Sequence, residues 1–440
     1  MRPKKIGKWK IIGLRKALMK TTVQSLKGTR DFYPEDMAVR SWLYNTLADV
    51  SQSFGYQEWD APFLEKIELY AAKSGEELVK EQSFVFEDRG GDLITLRPEL
   101  TPSLARLVAA RQRELAFPLR WWSFGPFWRY ERPQKGRTRE FFQWNIDMIG
   151  PNNPESDAEL AAVAATFLKR VGFQPGQVQT LANNRRLMDS ALADLGVTAD
   201  MRPSVFRLID RRDKLSPPEW EAFAAEIGLT AEQLGGLKRT LDDPDLWQRS
   251  EEFRRFFDAL EKLGVREWVR YDSRIIRGLD YYTGTVFEAK EMARGGRSIL
   301  GGGRYDNLVQ AVGGEPVSAV GFAMGDVMIG VLLQEYGLIK VNTGTPAPVL
   351  VTVFDESSLL DSYALAAELR RAGVAAAVYP EAAKLPKQLK YADRMAFRAV
   401  LIAGPDEQAA GTVQVKDLAN RTQEAVQLKE LPAYLRKILA

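Results

Sequence analysis

Arg129, Arg132, Lys135, Arg137 and Arg139 fall within eleven residues and are opposed there only by Glu131. Arginine's planar fork suits phosphate oxygens, and a turn carrying several cations can close over a polyphosphate. Just beyond it, Phe141 and Phe142 offer a flat face for a base, while Gln143 and Asp147 alternate with apolar neighbours as in a half-buried strand. A solvated charged turn is the competing reading of such a loop taken alone, and the adjoining aromatics count against it. Gly301-Gly302-Gly303 is a second candidate, because a missing Cβ lets a ligand approach the backbone. A bulge in a twisted strand would need the same glycines. No Walker-type phosphate loop occurs, and no G-x-G-x-x-G follows a strand. A nucleotide site in this chain must therefore be built from side chains on a sheet.

The rest of the composition narrows the chemistry. The 440 residues include no histidine and no cysteine. That excludes disulfides, thiol nucleophiles, Ser-His-Asp triads and the usual zinc sites. Acid–base work falls to shifted carboxylates, lysines or the substrate, and a metal would sit on oxygens, which favours magnesium. The net charge of +3 is concentrated at one end: residues 1–20 carry eight Lys/Arg and no acid, and the remainder is mildly acidic. This basic N-terminal extension lacks the apolar core of a secretory signal. A transit peptide, an inert tail and an RNA-contacting arm are its three readings. No apolar run reaches the length of a membrane span.

The elements that must position these residues follow from periodicity. Residues 36–54 have helical spacing, 93–97 read as a strand, and 101–112 as a helix with Pro102 in its first turn. Two aromatic-rich strands flank the cationic loop between 119 and 150, and 156–172 look helical. Residues 186–262 are helical throughout, with capping boxes at Ser216-Pro217-Pro218-Glu219 and Thr230-Ala231-Glu232-Gln233. They read as an insertion in a sheet-based domain, since strands resume at 268–271 and 284–289. Residues 341–348 look like a linker, and beyond it strands and helices alternate as in a small α/β domain with a mainly parallel sheet.

Several segments, in order, carry a resemblance. Lys27-Gly28-Thr29-Arg30-Asp31, Arg97-Pro98-Glu99-Leu100-Thr101-Pro102, Arg129-Tyr130-Glu131-Arg132-Pro133-Gln134-Lys135-Gly136-Arg137, the run from Arg277 to Glu288 and Gly301-Gly302-Gly303-Arg304-Tyr305-Asp306 resemble the motifs of the histidyl-tRNA synthetases, from about residue 24 to 430. The resemblance implies an α+β fold: a class II antiparallel sheet flanked by helices, with a helical insertion at about 186–262. The catalytic domain would span 21–342 and a C-terminal α/β anticodon-binding domain 346–440. The activity implied is ATP-dependent formation of histidyl-adenylate and transfer of histidine to tRNA(His), with Mg2+ on the phosphates.

The resemblance also implies roles. Arg129 would hold the α-phosphate, Glu131 the adenine amino edge and Arg137 the terminal phosphates, with Phe141 stacked on the base. Glu99, Thr101 and Gln143 would bind the α-amino group of histidine. Asp147 with Tyr282, beside Tyr281, would bind its imidazole. Arg277 would contact both the carboxylate and the α-phosphate. Arg132, Lys135 and Arg139 would face tRNA. A homodimer formed near Pro62, and a cytoplasmic location, belong to the same expectation. One position departs: Met328 stands where the family places an arginine against the adenine, and Arg304 and Arg294 are the candidate substitutes. That departure leaves a non-catalytic paralogue as the alternative, the regulatory subunit of ATP phosphoribosyltransferase or a decayed RNA-binding module.

Overall fold

The computed structural model describes residues 23–71, 81–276, 282–293, 296–341 and 344–439. They divide into two compact units, one ending at Lys340 and the other containing Val341 onward together with Phe32–Val39. Among the described residues no helix is long and apolar enough to cross a membrane.

The first unit is built on an eight-stranded sheet in the order β1-β5-β6-β11-β10-β9-β7-β8. Its strands are β1 (Gln57–Glu58), β5 (Leu119–Trp128), β6 (Glu140–Gly150), β7 (Val178–Asn184), β8 (Val269–Tyr271), β9 (Thr285–Glu291), β10 (Ser298–Tyr305) and β11 (Ser318–Gly325). The pairings are antiparallel except at the two ends, β1 with β5 and β7 with β8. A separate small antiparallel sheet, β2 (Leu64–Lys66), β4 (Leu93–Leu96) and β3 (Phe84–Glu87), stands beside it in that order.

One face of the large sheet is covered by helices. The helix Pro154–Arg170 is buried along most of its length because it runs beneath the sheet. Asn153 caps it by accepting the Ser156 N–H at 2.9 Å. The helix Pro34–Ser53 adds Leu43, Leu47 and Val50 to the same core. Between β7 and β8 lies the helical insertion, with helices Arg185–Asp194, Arg202–Asp210, Pro217–Glu226, Ala231–Asp242 and Glu251–Lys262. Both expected capping boxes are present. The last of these helices turns Phe253, Phe256, Phe257 and Leu260 inward, spaced at one helical face.

The second unit holds a five-stranded sheet, β13 (Ala376–Val378), β12 (Val349–Val351), β14 (Ala399–Ile402), β15 (Thr412–Asp417) and β16 (Thr422–Gln427), in that order. The expected parallel pattern holds for β13, β12 and β14, whereas β15 and β16 run antiparallel. β16 escaped sequence reading because it is exposed at all positions but Val426, leaving no apolar alternation to see.

Candidate active site

Strand register sets up the site. In β6 the side chains of Phe141, Gln143, Asn145 and Asp147 share one face of the pleat. Opposite Gln143, Asn145 and Asp147 on β11 are Gly325, Ala323 and Gly321, and opposite Ala323 and Gly321 on β10 are Gly301 and Gly303. A band of two strands on this face thus has almost no side chains, and the polar row on β6 looks onto it. A Cβ on Gly321 would lie 2.0 Å from Asp147 Oδ1, and one on Gly303 would lie 3.0 Å from Tyr282 Cδ1. Of the three glycines that the sequence offered as a floor, Gly301 and Gly303 lie on this face, whereas Gly302 is on the other, against Phe322.

Over the end of β6 nearer the cationic loop is a cavity of about 430 Å³, lined by Arg129, Glu131, Arg137, Phe141, Gln143, Ile299 and Met328 among others. Arg129 is held in place: its Nε donates to Pro98 O at 2.9 Å, its N–H to Arg139 O at 2.9 Å, and its guanidinium lies 5.3 Å from the Phe141 ring centre. Glu131 accepts from Arg137 Nη1 at 3.2 Å. The base of the loop rests on Gly28, whose carbonyl accepts from the Arg139 and Glu140 N–H groups. Nearby, Arg30 pairs with Asp326 at 2.8 Å, and Asp326 also accepts the Phe142 N–H at 2.8 Å. The tip is tied to the helix Asp326–Glu335, where Lys135 pairs with Glu335 at 2.8 Å and Met328 Cε abuts Gly136.

At the other end of the polar row, Asp147 is buried and accepts from the Tyr305 hydroxyl at 2.5 Å. Burial pushes its carboxyl up to about 7, and the Tyr305 hydrogen bond pulls it back toward the usual carboxylate range. Tyr282 is buried against Gly303 and belongs to the same apolar cluster as Tyr305. Gln143 and Asp147 are four residues apart on one strand, roughly 13 Å. The face therefore presents a cationic, aromatic end and a carboxylate–phenol end, suited to a ligand with two unlike halves.

Some expected residues lie elsewhere. Phe142 points through the sheet and is buried beneath the Arg40 guanidinium, 3.5 Å from its ring centre, so only Phe141 faces the cavity. Arg304 is corrected more sharply. It sits on the opposite pleat from Gly303, fully buried, with Nη2 2.5 Å from Asp157 Oδ1 and Nη1 donating to Pro151 O and Ser318 Oγ. Every strong donor direction is spent on the core, so it neither binds ATP nor substitutes for the arginine absent at Met328. Glu99 and Thr101 are outside the cavity lining, on the segment leading into the helix Thr101–Arg111. Arg277, Tyr281 and Arg294 lie outside the described residues. Arg139 lies 4.1 Å from the Tyr130 ring centre and donates to Glu131 O, bracing the loop from within.

One residue given no role from the sequence holds the Glu99 segment. Arg97 is fully buried, donating to Asp60 at 2.6 Å, to Ala61 O at 2.8 Å and to Pro126 O at 3.0 Å. Its place at the head of the Arg97–Pro102 motif was the available signal. A larger cavity of about 710 Å³ borders the helical insertion and β8. Four of its charged side chains pair with one another, Arg212 with Asp242 and Arg274 with Asp272.

Comparison with known proteins turns this geometry into a family. The profile described as histidyl-tRNA synthetase matches residues 28–326, and that described as anticodon binding domain matches 349–438. The histidine–tRNA ligase of Leptospira biflexa serovar Patoc is 34% identical over 424 residues, covering 92% of this chain and 95% of the relative. The chain belongs to the histidyl-tRNA synthetase family. A second family member, the chloroplastic/mitochondrial histidine–tRNA ligase of Arabidopsis thaliana, is 36% identical over 94% of this chain and 86% of its own length. The crystal structure of histidyl-tRNA synthetase from Nostoc sp. PCC 7120 has the same fold, with a TM-score of 0.81 at 24% identity over 95% of this chain and 100% of that one. As a histidyl-tRNA synthetase the chain is an aminoacyl-tRNA ligase of class II that uses ATP, and the synthetase reading is favoured over the regulatory paralogue.

Proposed function

We propose that the two ends of the β6 face divide one ligand pair between them, ATP at the Arg129–Phe141 end and histidine at the Asp147 end. The observation that supports this most is the bare glycine band between them, which leaves room for the reacting carboxylate and α-phosphate to meet. Phe141 stacks on the adenine, Glu131 accepts from its amino edge, Arg129 holds the α-phosphate and Arg137 reaches the terminal phosphates. Gln143, with Glu99 and Thr101, receives the α-amino group, and Asp147 and Tyr282 receive the imidazole. Arg277 is assigned to the carboxylate and α-phosphate.

In the first step a carboxylate oxygen of histidine attacks the α-phosphorus, an O–P bond forms, and the bond to the leaving pyrophosphate breaks. The nucleophile is already an anion, so no protein base is required, which suits a chain without histidine. Guanidinium groups aimed at the phosphorus stabilise the charge that develops there. In the second step a terminal ribose hydroxyl of tRNA(His) attacks the adenylate carbonyl, the new ester C–O bond forms, the acyl C–O bond to the phosphate breaks, and AMP leaves with the hydroxyl proton passing to its phosphate. Mg2+ would neutralise phosphate charge, carried by the phosphates and water. The described residues hold no cluster of three metal-ligating side chains, and Glu131 is the acidic residue on the cavity lining. Histidine-dependent exchange of pyrophosphate into ATP tests the reading: exchange with histidine and none with other amino acids is expected, and its absence would overturn it.

Arg132 and Lys135 are assigned to tRNA; the Lys135–Glu335 pair is exposed and weak in water, so a phosphate can displace it. Residues 346–440 are assigned to the anticodon, with Lys384, Lys387, Lys390, Arg394 and Arg398 as the candidate cations, of which Lys387 is paired with Glu381 and Arg398 with Asp417. The extension 1–20, the catalytic span 21–342 and a cytoplasmic location complete the assignment.

A homodimer is supported by exposed apolar side chains on the small sheet: Phe63, Leu64, Val85, Phe86 and Leu93 are each more than 40% exposed. Leu64 and Phe86 share a face, through register with Leu96 and Ile94 on β4. Such a patch is rare on a monomer and marks an interface. Leu64→Lys with Phe86→Lys is expected to halve the mass seen by sedimentation while leaving the far-UV circular dichroism spectrum unchanged. An unchanged dimer would place the interface elsewhere.

A further inference from the structure

We propose that Tyr305 is a positioning residue for histidine recognition: its hydroxyl takes Oδ1 of Asp147 and so presents the other carboxylate oxygen to the imidazole N–H. This rests on the assignment of Asp147 to the imidazole and goes a step further, to what makes that carboxylate selective.

Tyr305 and Asp147 are not on neighbouring strands. Tyr305 closes β10, Asp147 is in β6, and β11 runs between them. Two strand spacings are roughly 9.6 Å, which a phenol and a carboxylate can bridge only by lying toward each other across the intervening strand. β11 allows this because it presents Ala319 opposite Tyr305 and Gly321 opposite Asp147. Any side chain at Gly321 would collide with the Asp147 carboxylate, 2.0 Å from the added Cβ. Both partners are buried, at 4% and 6% exposure, so the bond is made away from competing water.

The bond decides how many acceptors a ligand finds. A carboxylate free of protein partners accepts along several directions and can rotate between them. With Oδ1 occupied by an O–H donor, the carboxylate plane is set and one oxygen remains. Neutral imidazole, with one N–H, matches a single acceptor. Among the described residues no cation pairs with Asp147, so the Tyr305 hydroxyl is the donor that sets its orientation, while burial raises its carboxyl and that bond opposes the rise. Among the described residues the titratable groups nearest it are Tyr282 ahead of β9 and Tyr56 behind the sheet, the latter bonded to Glu159 with Arg120 beside it. Burial pushes the Tyr56 hydroxyl above the ordinary phenol range. The facing β11 positions, Ala319 and Gly321, and Trp121 of β5 carry no titratable group.

The test is Tyr305→Phe in the full chain, which keeps the ring in its apolar cluster and deletes the donor. Because the hydrogen bond favours the ionised form, its loss raises the Asp147 pKa. The acid limb of kcat/KM for histidine is then expected to move up by about one pH unit, and KM for histidine at pH 7 to rise roughly fivefold. KM for ATP, and kcat at pH 8.5 with saturating histidine, should stay within about twofold. The ionisation of free histidine is common to both proteins and cannot produce a shift between them. An unmoved acid limb, or KM values for histidine and ATP rising together, would reduce Tyr305 to a structural role. Asp147→Asn separates the two levels of the proposal. If that variant keeps the parent's KM for histidine, the assignment of Asp147 itself fails; if it loses affinity while Tyr305→Phe does not, only the role of Tyr305 fails.

Discussion

Arg129→Gln is expected to slow histidyl-adenylate formation by roughly a hundred- to a thousandfold, the usual consequence of removing one group aimed at transition-state charge. The guanidinium is not a loose surface cation. Its Nε is fixed on Pro98 O and its plane lies near the Phe141 ring, so its terminal nitrogens are presented to the cavity without further ordering. Charge on the α-phosphate oxygens grows as the carboxylate attacks, and the loss should therefore fall mainly on kcat. Arg129→Lys should recover little, because an ammonium cannot hold Pro98 O and reach a phosphate with the same fork. Pyrophosphate exchange and single-turnover adenylate formation measure the effect, and an unfolding temperature close to the parent's shows that the loss is local. Exchange at the parental rate would remove Arg129 from the chemistry.

Arg304→Met is expected to destabilise the first unit by about 3–5 kcal/mol, through the core and not through ATP. The substitution leaves Asp157 fully buried without its cation. Burial already pushes the Asp157 carboxyl up to about 6, and Arg304 is the main influence holding it from rising further. In the variant the folded-state pKa lies higher still, while the unfolded chain titrates near ~3.9. Between those values the folded state binds more protons than the unfolded one, so stability falls as pH rises. The deficit should be smaller at pH 5 than at pH 8. Denaturant unfolding at the two pH values checks the sign. A second replacement, Asp157→Leu, should restore part of the loss, since an apolar pair can fill a buried ion-pair site. Equal deficits at both pH values would show that packing, not the stranded carboxylate, dominates.

These two arginines show where sequence reading succeeds and stops. Arg129 was legible because its partners are close in the chain: the cation run, Phe141 and the polar alternation of β6 all lie within twenty residues. The helical insertion was legible for the same reason, since caps and periodicity are local. Phe142 was assigned to the wrong face although the signal existed. Gln143 and Asp147 share parity with Phe141, and a period of two then sends Phe142 through the sheet. Arg304 and Tyr305 were different. One ends in Asp157, the other in Asp147, partners about 150 residues earlier that only strand order brings near. Two adjacent residues of one motif thus point to opposite faces, one into the core and one toward the polar row of β6.

The strand order also has a consequence in time. β6, which carries the polar row, is complete at Gly150, but β11, its partner on one side, begins at Ser318. About 170 residues, including the whole helical insertion, are synthesised in between. At roughly 5–20 residues per second, that interval is about 10–30 s on the ribosome. Throughout it one edge of β6 has no strand to pair with, and open edges invite association with other chains. The helix Pro154–Arg170 emerges first and can already shield Trp144 and Ile146, members of the same core, during that wait. The polar row of β6 gains its facing glycines only when β10 and β11 arrive, so a ribosome stalled before residue 318 would carry a half-finished sheet.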